Sequence, residues 1–277
     1  MNQHIFREYD IRGIVDKDLT TETVKTLARA VGTYFRRFEV KRVSLGFDAR
    51  ESSPRFRDLF IEGLNSSGLD VLDIGMIPTP LLYFSLFTEN VDAGIMITGS
   101  HNPSEFNGFK LCLGKSSIYG EQIQTIKDIG LRGEFVEGAG IVENKDITPD
   151  YLKFVTENIK PGNRKLKVVV DAGNGIGGIV GVPLYKQLGF EVIELFIEPD
   201  SCFPNHHPDP TEAKNMLDAV EAVLANNADL AIAFDGDGDR IGVVDEKGKI
   251  IWGDELMTIF ARSILKEKPN STFIAEV

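Results

Sequence analysis

Leu230-Ala231-Ile232-Ala233-Phe234-Asp235-Gly236-Asp237-Gly238-Asp239-Arg240-Ile241-Gly242-Val243-Val244-Asp245 is the stretch on which the fold reading turns. An apolar run leads into three aspartates separated by single glycines, and a second apolar run leads out. The runs predict two strands, and the acidic piece predicts the loop that joins them. Three carboxylates in five residues repel one another; a pair 4 Å apart costs about 4 kcal/mol at an effective dielectric near 20. A cation would remove that cost. Gly236 and Gly238 lack a Cβ, so the backbone can curl and aim alternate carboxylates at one point. Hard oxygen donors of this kind suit Mg²⁺ or Ca²⁺ rather than a soft metal.

Two simpler readings compete. A solvated hairpin turn needs one Asp-Gly, not three alternating aspartates. An EF-hand fits the first spacings, and Glu246 even falls at the twelfth loop position. Its sixth position, however, is Arg240 where the sharp turn needs Gly, and strands rather than helices flank the loop.

Working back toward the N-terminus, Phe6-Arg7-Glu8-Tyr9-Asp10-Ile11-Arg12-Gly13 is dense in charge and precedes the first helix. Thr20 or Thr21 caps that helix, whose apolar positions Val24, Leu27, Ala28, Val31, Tyr34 and Phe35 recur at helical spacing. A strand is expected over 43–47. Ser53-Pro54 then reads as the cap and first turn of a helix running to residue 64. Gly68 ends it, and a strand (69–74), a short helix (81–88) and a strand (93–97) follow. This alternation indicates an α/β unit.

The 93–97 strand runs into Thr98-Gly99-Ser100-His101-Asn102-Pro103. Reactive groups of open α/β sheets collect just beyond strand carboxyl ends, and Ser100 stands there. Gly99 lets the backbone turn, and Asn102-Pro103 blocks a helix. A plain Ser/Asn/Pro turn fits equally well. A serine hydrolase does not, because Thr98 and Asn102 replace the glycines of G-x-S-x-G. Asn107-Gly108 reads as a hairpin turn with Lys110 one residue into the next strand. A helix over 120–131 and a polar, glycine-rich stretch follow. Thr148-Pro149 caps a helix over 150–158, which puts the first domain boundary at 147.

The second unit, 148–251, has a strand over 165–171, then Gly173-Asn174-Gly175-Ile176-Gly177-Gly178, a match to G-x-G-x-x-G, with Glu194 about twenty residues on. The pattern suits a dinucleotide site, yet a strand-to-helix turn packed on glycines is the commoner meaning. Phe203-Pro204-Asn205-His206-His207-Pro208-Asp209-Pro210 is a rigid loop whose adjacent histidines point opposite ways in an extended chain. Thr211 caps a helix over 212–225. A helix over 254–265 and a strand over 272–277 start something new, so a truncated molecule is expected.

At 277 residues the chain holds about two domains, and 42% hydrophobic residues suffice for real cores. A net charge of -12 argues against nonspecific nucleic-acid or anionic-membrane binding. Cys112 and Cys202 lack metal-type spacing and suit a reducing cytoplasm. Met1 leads into polar residues with no signal peptide or bilayer-spanning run.

Taken in order, Tyr9-Asp10-Ile11-Arg12-Gly13, the Thr98 to Pro103 segment and the Asp235 to Arg240 segment closely resemble the α-D-phosphohexomutases. Thr98-Gly99 and the 203–210 loop are most similar to the phosphomannomutase/phosphoglucomutase branch, rather than to phosphoglucosamine mutases. The resemblance covers the whole chain and makes the G-x-G-x-x-G stretch structural. It implies two consecutive three-layer α/β domains with mixed sheets, 1–147 and 148–251, and the start of a third domain at 252–277.

The implied enzyme is a cytoplasmic isomerase, a monomer that interconverts hexose 1- and 6-phosphates of mannose or glucose. Glucose 1,6-bisphosphate, or mannose 1,6-bisphosphate, is activator and intermediate. Ser100 would carry the phosphoryl group, and Asp235, Asp237 and Asp239 would hold Mg²⁺ together with a phosphoserine oxygen. Arg12, Lys110 and Arg240 match family positions around the phosphosugar, with Tyr9 beside them. Lys110 is expected to move a proton, since a desolvated lysine shifts its pKa, Arg12 to stay charged, and His101 to shuttle a proton or orient the serine. The family's third and fourth domains supply the sugar-reading and phosphate-clamping loops, which are not found here. An NAD-binding oxidoreductase, a metal-dependent phosphatase and a noncatalytic Mg²⁺-binding module are the alternatives from other classes.

Overall fold

The computed structural model describes residues 2–275. After a 3-10 turn at Gln3–Ile5, the first unit runs β1 (Ile11–Ile14), α1 (Thr21–Arg36), β2 (Arg42–Phe47), α2 (Ser53–Ser66), β3 (Asp70–Met76), α3 (Thr79–Thr88), β4 (Ala93–Ile97), β5 (Phe106–Leu113), β6 (Ser116–Ser117), α4 (Glu121–Arg132) and β7 (Val142–Asn144). The second runs α5 (Thr148–Asn158), β8 (Lys167–Asp171), α6 (Gly178–Gln187), β9 (Glu191–Leu195), a 3-10 turn at Ala213–Met216, α7 (Leu217–Asn226), β10 (Leu230–Phe234), β11 (Ile241–Asp245) and β12 (Ile250–Ile251), followed by α8 (Gly253–Glu267).

Each unit is a mixed sheet between helices. The first sheet has the order β1-β5-β4-β2-β3-β7, with β5 antiparallel to both neighbours and the rest parallel. The second has the order β12-β11-β10-β8-β9, with β8, β9 and β10 parallel and the β10–β11 hairpin antiparallel. Helix α1 forms as its sequence predicts: the Thr20 hydroxyl accepts the Thr23 N–H at 3.2 Å, and the apolar stripe is buried. Phe56, Phe60 and Phe109 form an aromatic knot between α2 and the sheet, with Phe60 and Phe109 stacked at 4.6 Å. Burying each ring contributes roughly 1.5–3 kcal/mol. Because strand side chains alternate, the same β5 that sinks Phe109 into this core sends Lys110 to the opposite face.

That opposite face belongs to a second apolar layer shared by both units. Leu72, Ile74, Leu81, Leu82 and Met96 pack there with Ile147 and with Val180 of α6. Phe84 of α3 meets Tyr151 of α5 edge to face at 5.3 Å. The two sheets are thereby joined through α3, α5 and α6, and their loops face each other.

Several local expectations are corrected. Asn107-Gly108 lies inside β5, not in a turn. The buried Asn107 amide donates to the Ser52 and Ser53 hydroxyls at 2.7 and 3.0 Å, and a Cβ at Gly108 would lie 2.5 Å from the Ile11 carbonyl. Close strand approach therefore explains this glycine. Ser53 does not cap α2; its hydroxyl donates to buried Asp48 at 2.6 Å. The Thr211 hydroxyl is bound to Asp209, and helix α7 starts only at Leu217. Strand β7 is exposed and polar and was not expected; main-chain pairing to β3 forms it. Residues 272–275 are not a strand, and Glu276 and Val277 lie outside the described residues. Among the described residues, α8 buries none of its side chains, leaving Ile259, Phe260 and Ile264 exposed. No helix there is long and apolar enough to cross a membrane.

Candidate active site

Ser100 follows the carboxyl end of β4, where sheet geometry predicts it. The residue that turns left-handed is Ser100 itself, at φ +50°, and not Gly99. A non-glycine residue in that region is strained. The Ser100 N–H donates to the Thr98 hydroxyl at 2.7 Å, and Gly99 O accepts both the Asn102 N–H and its side-chain amide. These bonds hold the turn, and Ser100 is only 3% exposed. Its Oγ donates to Asp235 Oδ2 at 3.2 Å and lies 3.2 Å from His101 Nδ1.

The aspartate loop comes from the β10–β11 hairpin of the other unit. Asp235 Oδ1 accepts the N–H groups of Asp239 and Arg240, both at 3.0 Å, so the first aspartate organises its own loop. Gly238 supplies a left-handed turn at φ +71°. Gly236 has a different reason to be glycine: a Cβ there would lie 2.4 Å from the Ser100 carbonyl oxygen. Its absence lets the serine and aspartate loops meet.

Asp235 and Asp237 are fully buried, and one ligand atom from each of Asp235, Asp237 and Asp239 lies within 4.8 Å of the others. Burial, then the charges of Asp237 and Asp239, push the Asp235 carboxyl up to about 8. Burial pushes Asp237 the same way, but Lys110 and the Thr79 hydroxyl outweigh it and hold Asp237 below the usual range. Thr79, at the start of α3, donates its hydroxyl to Asp237 Oδ2 at 2.6 Å and its N–H to Asp237 O at 2.9 Å. Sequence reading missed it, because Pro78-Thr79-Pro80 signals only a helix start.

Lys110 bridges Asp237 and Asp239, 2.6 Å from each. Burial alone would lower its pKa, yet the two carboxylates more than offset this and raise it. The net shift runs opposite to the one expected for proton transfer, and the ammonium stays charged. His101 behaves the other way: burial first, then Arg240 and Arg12, lower its pKa and favour the neutral ring.

Lys110 pairs with only two of the three carboxylates. Asp237 Oδ1 is buried without a hydrogen-bond partner among the described residues. A hard divalent cation such as Mg²⁺ takes oxygen ligands of this type, so the residues present fit one.

A cleft of about 540 Å³ opens beside these groups. Tyr9, Asp10, Arg12, Tyr83, Ser100, Lys110, Tyr119, Asp239 and Arg240 line it. The structure thus gathers every expected substrate-contacting residue, adds Tyr83 and Tyr119, and pairs Arg12 with Asp10. A larger cleft of about 610 Å³ surrounds Arg57, Asp73 and Lys145, but it holds neither the serine nor the aspartates. His206 lies elsewhere, with Nε2 3.0 Å from buried Asp171. The Gly173-to-Gly178 turn is filled by protein: Cβ atoms at Gly175 and Gly177 would strike Gly236 and the Phe234 ring. Glu194 pairs with Lys186. Packing, not a dinucleotide, explains those glycines.

Two α/β units, each a mixed sheet flanked by helices, thus meet at a serine loop and an acidic loop. Residues 3–137 match the Phosphoglucomutase/phosphomannomutase, alpha/beta/alpha domain I, and residues 149–248 match domain II of the same family. The chain is 42% identical over 275 residues to a phosphoglucomutase of Neisseria meningitidis, covering 99% of this chain and 60% of that protein. It is 42% identical over 273 residues to a phosphomannomutase/phosphoglucomutase of Pseudomonas aeruginosa, covering 99% and 59%. A crystal structure of a phosphoglucomutase/phosphomannomutase family protein from Burkholderia thailandensis superposes with a TM-score of 0.94 at 40% identity, covering 97% of this chain and 60% of that one. The chain belongs to the phosphoglucomutase/phosphomannomutase family, and it spans about 60% of the length of these relatives.

Proposed function

We propose that this chain carries the phosphoryl-transfer half of a phosphohexomutase acting on the 1- and 6-phosphates of glucose, mannose or both. The observation that carries the reading is Ser100 Oγ, 3.2 Å from Asp235 Oδ2, where the two units' loops converge. The relatives' names favour this substrate class over glucosamine phosphates and over oxidoreductases. The division we favour is a serine-bearing unit over 1–147, a metal-bearing unit over 148–251 and the opening of a third over 252–277.

Ser100 carries the phosphoryl group and passes it to the free hydroxyl of a hexose phosphate. The resulting 1,6-bisphosphate turns over and returns its other phosphoryl group to Ser100. Asp235, Asp237 and Asp239, with a phosphoserine oxygen, would hold Mg²⁺, which when bound would withdraw charge from the phosphoryl oxygens. A phosphoserine adds up to about two negative charges to three carboxylates, so further cations are required. Arg12, Lys110 and Arg240 supply them around the cleft, and Tyr9 lines its rim. Lys110, held charged, acts electrostatically. Neutral His101, beside Ser100 Oγ, takes or returns the proton of the reacting hydroxyl.

Intact-mass measurement after incubation with glucose 1,6-bisphosphate tests this directly. One phosphate on Ser100, absent from Ser100→Ala, is the expected result. Phosphate found on Thr98 or His101 instead overturns the assignment.

A further inference from the structure

Arg50 follows β2, is 2% exposed and does not itself line the cleft. Its Nη1 donates to the carbonyls of Pro103 and Phe106 at 2.6 and 2.8 Å. Its Nη2 donates to those of Ser100 and Asn102 at 2.9 and 2.6 Å. Four carbonyl oxygens, three of the serine loop and one at the start of β5, thus converge on one guanidinium. Arg50 Nε lies 3.2 Å from Asp48 Oδ2, a charge contact rather than an aligned hydrogen bond. The same Asp48 oxygen accepts the Gly99 N–H at 3.0 Å. Phe203, from the second unit, covers the guanidinium with its ring centre 5.4 Å away.

We propose that Arg50 is a positioning residue for Ser100: its fork holds the loop carbonyls so that the left-handed Ser100 backbone keeps Oγ aimed at the aspartate loop. The catalytic meaning rests on the phosphoserine reading above. Backbone strain at Ser100 persists only if surrounding bonds over-determine it, and Arg50 binds that residue's own carbonyl. A guanidinium presents five N–H groups in a rigid plane; a lysine offers three from a single point and cannot span four carbonyls. Gly99 supports the same assignment, since a Cβ there would lie 2.3 Å from Arg50 Cζ and Nε. The glycine before the serine therefore makes room for the arginine.

Two variants of the 277-residue chain separate this role from general stability. Arg50→Lys keeps the charge and loses the fork. Gly99→Ala keeps the arginine and displaces it. Each is expected to speed amide exchange at Gly99, Ser100 and Asn102 by about tenfold or more, with β8 and β10 changed by less than about twofold. Each is also expected to slow phosphate uptake from glucose 1,6-bisphosphate by about tenfold or more. Unchanged loop exchange, exchange raised evenly through the whole first sheet, or a loosened loop with unchanged uptake would each overturn the proposal. If the unmutated chain takes up no phosphate, the phosphoserine reading fails, and the exchange measurement alone decides the role of Arg50. Should Arg50→Lys not fold, Gly99→Ala decides it.

Discussion

The serine loop and the aspartate loop meet at one point but are held in different ways. Within the aspartate loop, Asp235 accepts N–H groups from residues 239 and 240 and its carbonyl accepts that of Gly238, while Thr79 and Pro208 bind the loop from outside. The serine loop adds to its own short-range bonds a clamp from about fifty positions away, by Asp48 and Arg50. A carboxylate that binds its own loop's N–H groups shapes that loop locally. A loop held from a distance keeps its shape only while the sheet beneath it is intact. The difference teaches that the aim of Ser100 depends on a buried cation brought from the end of β2, whereas the acidic loop takes its first turn from its own carboxylate and its placement from Thr79 and Lys110.

The largest expected effect asks whether the two loops suffice. They lie in a chain that spans about 60% of its relatives, and positioning of a substrate can account for roughly 7–11 kcal/mol of a barrier. Hexose-phosphate isomerisation by this chain is expected to fall on the order of a hundred-thousand-fold or more below the Neisseria relative, in a coupled assay for the 6-phosphate. Comparable turnover would mean that the sugar is positioned by residues already present.

A sharper test lies between the two glycines of the aspartate loop. Gly236→Ala drives a Cβ against the Ser100 carbonyl and should cost about 3 kcal/mol while separating the loops. Gly238→Ala strains its own left-handed backbone and brings a Cβ to 3.2 Å from Pro78 Cβ and 3.3 Å from Gly177 Cα, milder contacts, and should cost about 1–2 kcal/mol. Urea melts rank them; equal costs would mean that the loops do not press on each other as described.

The acidic loop should also respond to cation. Mg²⁺ at about a hundred times its dissociation constant should add about 2.7 kcal/mol to stability, read as a higher melting temperature than in EDTA. Asp237→Asn should abolish most of that shift. Identical curves with Mg²⁺ and EDTA would leave the three carboxylates a purely structural cluster.

The smallest effect concerns the 203–210 loop, which touches both partners: Phe203 lies on Arg50, and Pro208 O accepts the Gly236 N–H. Burial lowers the His206 pKa, but the Asp171 carboxylate and the His207 carbonyl outweigh it and raise it above the ordinary 6.5. A raised histidine contributes stability that is fully present below the unfolded pKa and lost as pH rises through the folded one. Melting temperature should therefore decline as pH climbs above about 6.5, and His206→Asn should flatten that slope. A slope unchanged in the variant would place the pH response elsewhere.

Local chemistry was readable where partners are close in sequence. Thr20 and its helix and the Asp235-to-Arg240 hairpin carry bonds within a few residues, so periodicity and turn chemistry described them before any contact was known. The reading went astray where distant partners decide. Asn107-Gly108 has the composition of a turn and became a strand, because Ser52 and Ser53 bind the asparagine and β1 runs against the glycine. Polar β7 carries no strand pattern, since only its pairing to β3 forms it.

By itself the sequence determined the alternation of elements, the acidic loop and the residue types that gather at the cleft. Only the tertiary structure decided that Ser100 turns left-handed, that Lys110 is held charged by two aspartates, and that Thr79 and Arg50 serve the two loops from other elements. The physical reason is range. Capping, alternation and turn bonds act over a few residues, but burial and ion pairing act over ångströms, and a chain brings together positions up to 158 residues apart before those forces operate.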